Sequence, residues 1–498
     1  MRQREMRGPV LVSLAVVGIA VAMRVYGLGW VFDHDNYDEG VYWQTLRAMH
    51  AGLGLYEPIF HAQPPLFMLL VYPFYALFGQ SIVAARAGIA VLSLLGLLGA
   101  AMTGKALAGR SGALAAMILL AVSPLYLGQS QTLEAEGPAT AFLFLSVGAA
   151  LLWWKRPVGK AAVRLAIVSG AALSIGILIK LLTVTAGVPI LMLILGRIWQ
   201  SRRLSRSERP AMLMPILAAV IAALAVASIA LMPFRASVGA LWDQVVSYHL
   251  AASKVSESDT IEILGRFFAT NGVLAVAALV GAVLAFRRRD WRVVPLLAWL
   301  TATLAVLATL SPLFTRHAIV LVPPLIALTV LGLSELTSLE HVLEILRART
   351  LTADPSGWLM GLLVCAAVVA GVVGSLGYYR QLRADAESSR TQDFARMAAD
   401  LRWATTPEQW IITDGQFVAA QADRDTPPSL VDTSQTRIRA GYLTTQQLLE
   451  DAGDPRVHAV LFATGRLASE RTAGFHDWVS QHFTLAGQYG AGLELWVR

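Results

Sequence analysis

The chain has 498 residues, 56% hydrophobic and only 15% charged, with a formal net charge of +7 and a mean hydropathy of +0.58. Soluble domains carry about a quarter charged residues, so this composition excludes an ordinary soluble globular protein. The basic excess is no sign of nucleic-acid binding either, because Lys and Arg collect in the cytoplasmic loops of membrane proteins. A single cysteine, Cys365, sits in an apolar run and excludes an intrachain disulfide.

The apolar residues come in runs of the length a helix needs to cross roughly 30 Å of hydrocarbon. They predict an all-α polytopic membrane bundle of about eleven spans, near residues 9–28, 80–103, 112–128, 138–154, 163–179, 181–197, 211–233, 267–286, 293–310, 317–335 and 358–377. The N-terminus, with Arg2, Arg4 and Arg7 before an apolar run from Val10, has the charged and hydrophobic parts of a signal peptide, but no small-residue cleavage site follows. It reads as an uncleaved first span. With the N-terminus inside, the cytoplasmic segments hold 20 Lys and Arg, and the opposite loops about seven before the C-terminal part. That bias orients the protein, and an odd number of spans places the C-terminal part outside. The division is therefore a transmembrane domain over 1–377 and a small extracytoplasmic α/β domain over 378–498. In the latter, Trp410–Asp414 and Val457–Phe462 read as short buried strands, 444–452 as a helix, and Tyr489–Trp496 as part of a hairpin.

The segments expected outside carry the chemistry. The first, 29–79, is long for a loop and opens with Asp33-His34-Asp35-Asn36-Tyr37-Asp38-Glu39. Apolar spacing from Val41 to Met49 predicts an amphipathic helix lying on the membrane, with Asp38 and Glu39 in its first turn. A helix N-terminus favours ionised carboxylates, as a general base requires. Equally, such acids can be a solvated loop with capping roles. Asp33 and Asp35 form a D-x-D pair able to hold a divalent metal, a pattern common by chance. His61, Gln63 and the Pro64-Pro65 pair follow, the prolines imposing an extended turn.

Glu134 and Glu136 precede Pro138 at the start of the fourth span, as catalytic or merely interfacial acids. Lys180 is a lone cation between two apolar runs, a functional position by default unless it snorkels. Arg316-His317 opens the tenth span with two donors suited to an anionic phosphate or to anchoring at the interface. Acids and cations together suit a reaction between an activated phosphate and a neutral nucleophile.

The pattern resembles the multi-spanning GT-C glycosyltransferases, in the branch of the protein O-mannosyltransferases and the lipid A aminoarabinose transferase. The resemblance rests on Asp38-Glu39 with Tyr42, Pro64-Pro65-Leu66, Phe78-Gly79, Glu136-Gly137-Pro138, Gly176 to Lys180 with Pro189, and Arg316-His317 with Pro323, in order over about 10–335. It implies an inverting transfer of a sugar from a polyprenyl-phosphate donor, the lipid-linked co-substrate, to an acceptor hydroxyl on the outer face of the membrane. Asp38 is implied as the base, Glu39 as its orienter, Glu134 and Glu136 as the second acidic motif on the acceptor side, and Lys180, Arg316 and His317 as donor-phosphate ligands. Asp35, Tyr42, His61 and Gln63 are further loop candidates. No other cofactor is implied beyond a possible divalent metal. The partners are the bilayer, the lipid-linked donor, and a protein, lipid or glycan acceptor. Three positions depart from the family's pattern: Gln63 where the lipid A enzyme has Lys, Glu136 where Asp is frequent, and His317 where Tyr is common. They argue against aminoarabinose transfer specifically.

A secondary transporter or lipid flippase is the alternative. Transporters place polar, broken-helix sites near the midplane and often show inverted repeats, whereas here the ionisable residues sit at the boundary. A scaffold or sensor would need no ordered acidic site in the first loop.

Overall fold

The computed structural model describes residues 2–30, 37–256, 258–333 and 355–498. The D-x-D pair Asp33 and Asp35 lies outside the described residues. Helices dominate up to residue 404: α1 (Arg2–Val25), α2 (Tyr37–His50), α3 (Leu66–Leu77), α4 (Ile82–Ala121), α5 (Pro124–Gly128), α6 (Glu136–Lys155), α7 (Lys160–Ile179), α8 (Gly187–Ser201), α9 (Arg209–Leu231), α10 (Val238–Trp242), α11 (Tyr248–Val255), α12 (Thr260–Thr270), α13 (Gly272–Arg287), α14 (Val293–Thr309) and α15 (Val322–Gly332), then Pro355–Ala386 and Ser389–Ala404.

Among the described residues, seven helical segments are long and apolar enough to cross a membrane, or eight if the bent pair α12–α13 is one span. The segments expected at 9–28 and 293–310 fall on shorter apolar helices, Leu11–Val25 and Val293–Thr309. Those expected at 80–103 and 112–128 meet in α4, whose dihedrals break at Ala108 (φ −136°, ψ 27°) and Gly109 (φ 69°, ψ −146°). In a straight helix, residues eight apart are about 12 Å distant. Here a Cβ on Gly104 would lie 2.1 Å from the Gly112 carbonyl oxygen, so the chain doubles back on itself. Glycine supplies the positive φ of that turn.

The packing is that of a bundle in lipid. α6 runs through the centre, buried along nearly its whole length. α9 is the opposite, and Leu217, Ile221 and Leu224 lie on it exposed. Large apolar side chains bare to the surroundings at that density are intolerable in water but neutral against lipid tails. The basic segments collect at one end, where Arg292 donates to the carbonyls of Ala106 and Leu107 and Arg197 to that of Trp154. α2 and the C-terminal sheet lie together at the other.

That sheet has the strand order β1–β2–β4–β3, from β1 (Trp410–Thr413), β2 (Val457–Phe462), β3 (Thr484–Gly490) and β4 (Leu493–Val497). The expected strands and hairpin are present, as is the helix, Thr445–Ala452. β1 and β2 are parallel, so a crossover must join them. It runs through Gln416–Gln421, Gln435–Arg439 and Thr445–Ala452. Alternation along the strands sends Ile412, Val460 and Phe462 into one core and Ile411, Ala459 and Leu461 into another. The helix Pro355–Ala386 carries the chain past 378, the expected start of the soluble part.

One local expectation changes. α2 is not an amphipathic helix with a solvated face. Val41, Tyr42, Trp43, Gln44, Thr45 and Leu46 are all buried. One face packs on the bundle, and the other is covered from the C-terminal part. Trp43 meets Phe417 edge-on, with ring centroids 5.3 Å apart. Gln44 donates to the Arg424 carbonyl at 2.9 Å, and Arg47 pairs with Asp423 and Asp425 at 2.6 and 2.7 Å. The Tyr37 hydroxyl accepts from the Thr433 backbone N–H at 2.7 Å.

Gly40 marks the closest approach, since a Cβ there would lie 2.3 Å from the Phe417 nitrogen. Replacing a helical glycine by alanine ordinarily gains about 1 kcal/mol, but forced overpacking costs about 1–3 kcal/mol. Gly40→Val, which adds bulk without alanine's propensity, should therefore lower the unfolding midpoint in detergent and speed proteolytic cleavage within 389–498. A midpoint at or above wild type would show that this contact does not hold the two parts together.

Candidate active site

α2 lies within the first outer segment, and its first turn delivers Asp38 and Glu39 to different places. Consecutive helical residues project about 100° apart. Glu39 turns inward and is fully buried, receiving two N–H bonds from Arg86 at 2.6 Å each and one from the Leu133 backbone at 2.8 Å. Arg86, equally buried, also donates to the carbonyls of Leu28 and Trp30. A paired guanidinium and carboxylate with further hydrogen bonds are what make a buried ion pair tolerable. The pair ties the first turn of α2 to α4 and to the segment before α6. Glu39 is thus not brought into the group that Asp38 joins. Arg86 had no place among the sequence candidates, although a lone arginine in an apolar span is a signal in itself.

Asp38 turns the other way. Its carboxylate pairs with Arg316, and one third of its side chain (33%) stays solvent-accessible. Arg316 comes from the irregular helix Thr315–Leu321 ahead of α15, and its Nε lies 3.3 Å from Glu136 Oε1 and its Nη1 4.0 Å from Glu134 Oε1. Glu136, the first residue of α6, is nearly inaccessible and receives Lys180 Nζ at 2.5 Å. Lys180 occupies a true break: its extended backbone (φ −154°, ψ 126°) ends α7 before a 3-10 turn over Leu181–Ala186. The His317 Nδ1 accepts from the Phe314 backbone N–H at 3.3 Å, which leaves the ring proton on Nε2, 3.6 Å from Glu136. Asp38, Glu134, Glu136, Lys180, Arg316 and His317, six residues spread over about 280 positions, thus form one group of acids and cations.

Burial raises the Glu134 carboxyl to about 8, against the opposing pull of Arg316. The Tyr42 hydroxyl is likewise pushed well above the usual tyrosine range, by burial and then by the Asp38 charge, so it remains a neutral donor near Asp38. Tyr42 is wedged between Phe67 and His61, with centroids at 4.8 and 6.3 Å. His61 is buried and neutral, held down to about 3 by burial. Its backbone N–H donates to Gln244, and the carbonyl of Gln63 accepts from Tyr56. These contacts make His61 and Gln63 parts of the loop's own packing, joined to the start of α3 by Pro64-Pro65 and to residues 244–249 by Gln244 and His249. Among the described residues, no three His, Cys, Asp or Glu side chains converge in a way that could hold a metal ion.

The whole architecture has known counterparts. ArnT from Cupriavidus metallidurans in the apo state superposes with a TM-score of 0.65 at 15% identity, over 97% of each chain. The fold is that of the GT-C glycosyltransferases. ArnT bound to undecaprenyl phosphate gives the same score of 0.65 at 14% identity, over 98% of this chain and 97% of that one. A second GT-C structure, the oligosaccharyltransferase AglB from Archaeoglobus fulgidus with an inhibitory peptide and a dolichol-phosphate, matches with a TM-score of 0.56 at 13% identity, over 92% of this chain and 69% of that one. In sequence, residues 62–232 match the dolichyl-phosphate-mannose-protein mannosyltransferase family. Comparison with curated protein sequences gives no match.

The Glu39–Arg86 pair makes a thermodynamic prediction. Removing one partner strands a buried charge, at a cost of about 3–5 kcal/mol, whereas removing both is far milder. Glu39→Gln and Arg86→Met should each lower the unfolding midpoint in detergent more than the double variant does. Additive losses in that cycle would mean that the two side chains are not energetically coupled.

Proposed function

We propose that the protein is an inverting glycosyltransferase that moves a sugar from a polyprenyl-phosphate donor to an acceptor hydroxyl on the extracytoplasmic face of the membrane. The observation that carries this reading is the convergence of a part-exposed Asp38 with Lys180 and Arg316 in a GT-C fold. A transporter would place its charged site near the midplane. Here the cluster lies at helix ends, beside the loop that α2 closes.

In the proposed reaction the acceptor hydroxyl gives its proton to Asp38 and its oxygen attacks the anomeric carbon. The bond from that carbon to the phosphate oxygen breaks with inversion, and its electron pair leaves on the phosphate. Lys180 and Arg316 stabilise that growing negative charge in a site largely shielded from water. Arg316 donates to the Asp38 carboxylate. An incoming phosphate competes for the same guanidinium and so releases the base it needs.

Structures of ArnT and AglB have each been solved with a polyprenyl-type phosphate bound, which supports that class of donor for this chain. The clustering of basic segments at the end opposite the sheet supports a cytoplasmic N-terminus and an extracytoplasmic C-terminal domain over 378–498. In this reading the domain, seated on α2, shapes the route of the acceptor to Asp38.

The test is turnover of radiolabelled polyprenyl-phosphate sugars by the purified protein in detergent. Asp38→Asn should fold as wild type does and lose about 10²–10⁴-fold in donor consumption, the range general bases supply. Lys180→Met should lower kcat, because it removes a charge that stabilises the departing phosphate, and raise the donor's KM as well. Consumption of no donor by wild type, or full activity in Asp38→Asn, would refute the assignment.

A further inference from the structure

Glu134 stands apart from the other acids of the cluster. Glu136 Oε1 has Lys180 at 2.5 Å, Arg316 at 3.3 Å and His317 at 3.6 Å. Asp38 has Arg316 and partial access to water. Glu134 is 3% exposed, its Oε1 is no nearer than 4.0 Å to a cation, and its Oε2 is buried with no hydrogen-bond partner among the described residues. An ionised carboxylate so poorly solvated is strongly disfavoured against its neutral form, and burial does raise this group to about 8. A neutral carboxylic acid carries one O–H that needs an acceptor. Arg316 and Lys180 are donors only, and the oxygens of Asp38 and Glu136 already face those two cations.

Resting on the glycosyltransferase reading, we propose that Glu134 is a protonated acid whose O–H donates a hydrogen bond to the phosphate of the lipid-linked donor, beside Lys180 and Arg316. The charges of the group agree with this. Asp38 and Glu136 already offset Lys180 and Arg316, so a third ionised carboxylate would repel the anionic donor. A neutral one adds a donor instead. Through the transfer Glu134 keeps its proton. The acceptor's proton goes to Asp38, and the electron pair of the broken bond goes to the phosphate that Glu134 contacts.

The charged and titratable groups that face Glu134 are Arg316 from the helix before α15, Glu136 from α6, Asp38 and Tyr42 from α2, Lys180 from the break after α7, and Tyr378 from the helix Pro355–Ala386. Glu134→Gln keeps the shape and a donating N–H but cannot ionise, which separates this role from a packing role.

The experiment is titration calorimetry of the full-length protein in detergent with a polyprenyl methyl phosphodiester, a probe with one fixed negative charge. Wild-type affinity should fall about tenfold between pH 6.5 and 9.5, as one hydrogen bond is lost and a like charge appears. Glu134→Gln should hold the wild-type pH 6.5 affinity within about threefold at both pH values. Any loss arising from Lys180 would appear equally in Glu134→Gln. A wild-type affinity that does not change with pH, or a Glu134→Gln affinity at pH 6.5 as weak as wild type at 9.5, overturns the role of Glu134 alone. A wild type that binds the probe at neither pH overturns the donor reading as well.

Discussion

One guanidinium decides how this end of the bundle is arranged. Arg316 lies within 4.0 Å of Glu134 and Glu136 and pairs with Asp38. Acids at the edge of a low-dielectric bundle are stable only when compensated, and two cations serve three carboxylates here. The shortfall is met in different ways: Glu136 takes both cations, Asp38 stays open to solvent over a third of its side chain (33%), and burial raises the Glu134 carboxyl. Three acids of similar intrinsic strength thereby acquire three different environments.

The second constraint is the fastening of α2. On a helix free to drift over the membrane surface, Asp38 would have no fixed place beside Arg316. Glu39 anchors the helix to α4 through Arg86, and Tyr37, Gly40, Gln44 and Arg47 anchor it to residues 417–433. The bundle and the C-terminal part each hold one face of the same short helix, so the position of Asp38 is fixed from both sides.

The features legible in the sequence were those written in local order. Apolar run length revealed the helices, alternation revealed β1 and β2, and isolated charges at run ends marked Lys180, Glu136 and Arg316. Features that depend on a distant partner were not legible. Asp38 and Glu39 look alike in sequence, and only Arg86, 47 residues on, separates the two roles. The spacing of α2 suggested a solvated face because its cover comes from residues nearly 400 positions later. The turn inside α4 fell between two expected spans, and Gly109 was its local sign.

The long reach of these contacts also has a consequence in time. Arg316 follows Asp38 by 278 residues, so at roughly 5–20 residues per second it leaves the ribosome on the order of 15–55 s later. The cover of α2 arrives later still. Throughout that interval the nascent chain holds an acidic loop without its main counter-charge. The site closes only after residues 417–433 have emerged, and a chain interrupted before then has no assembled centre with which to meet a substrate.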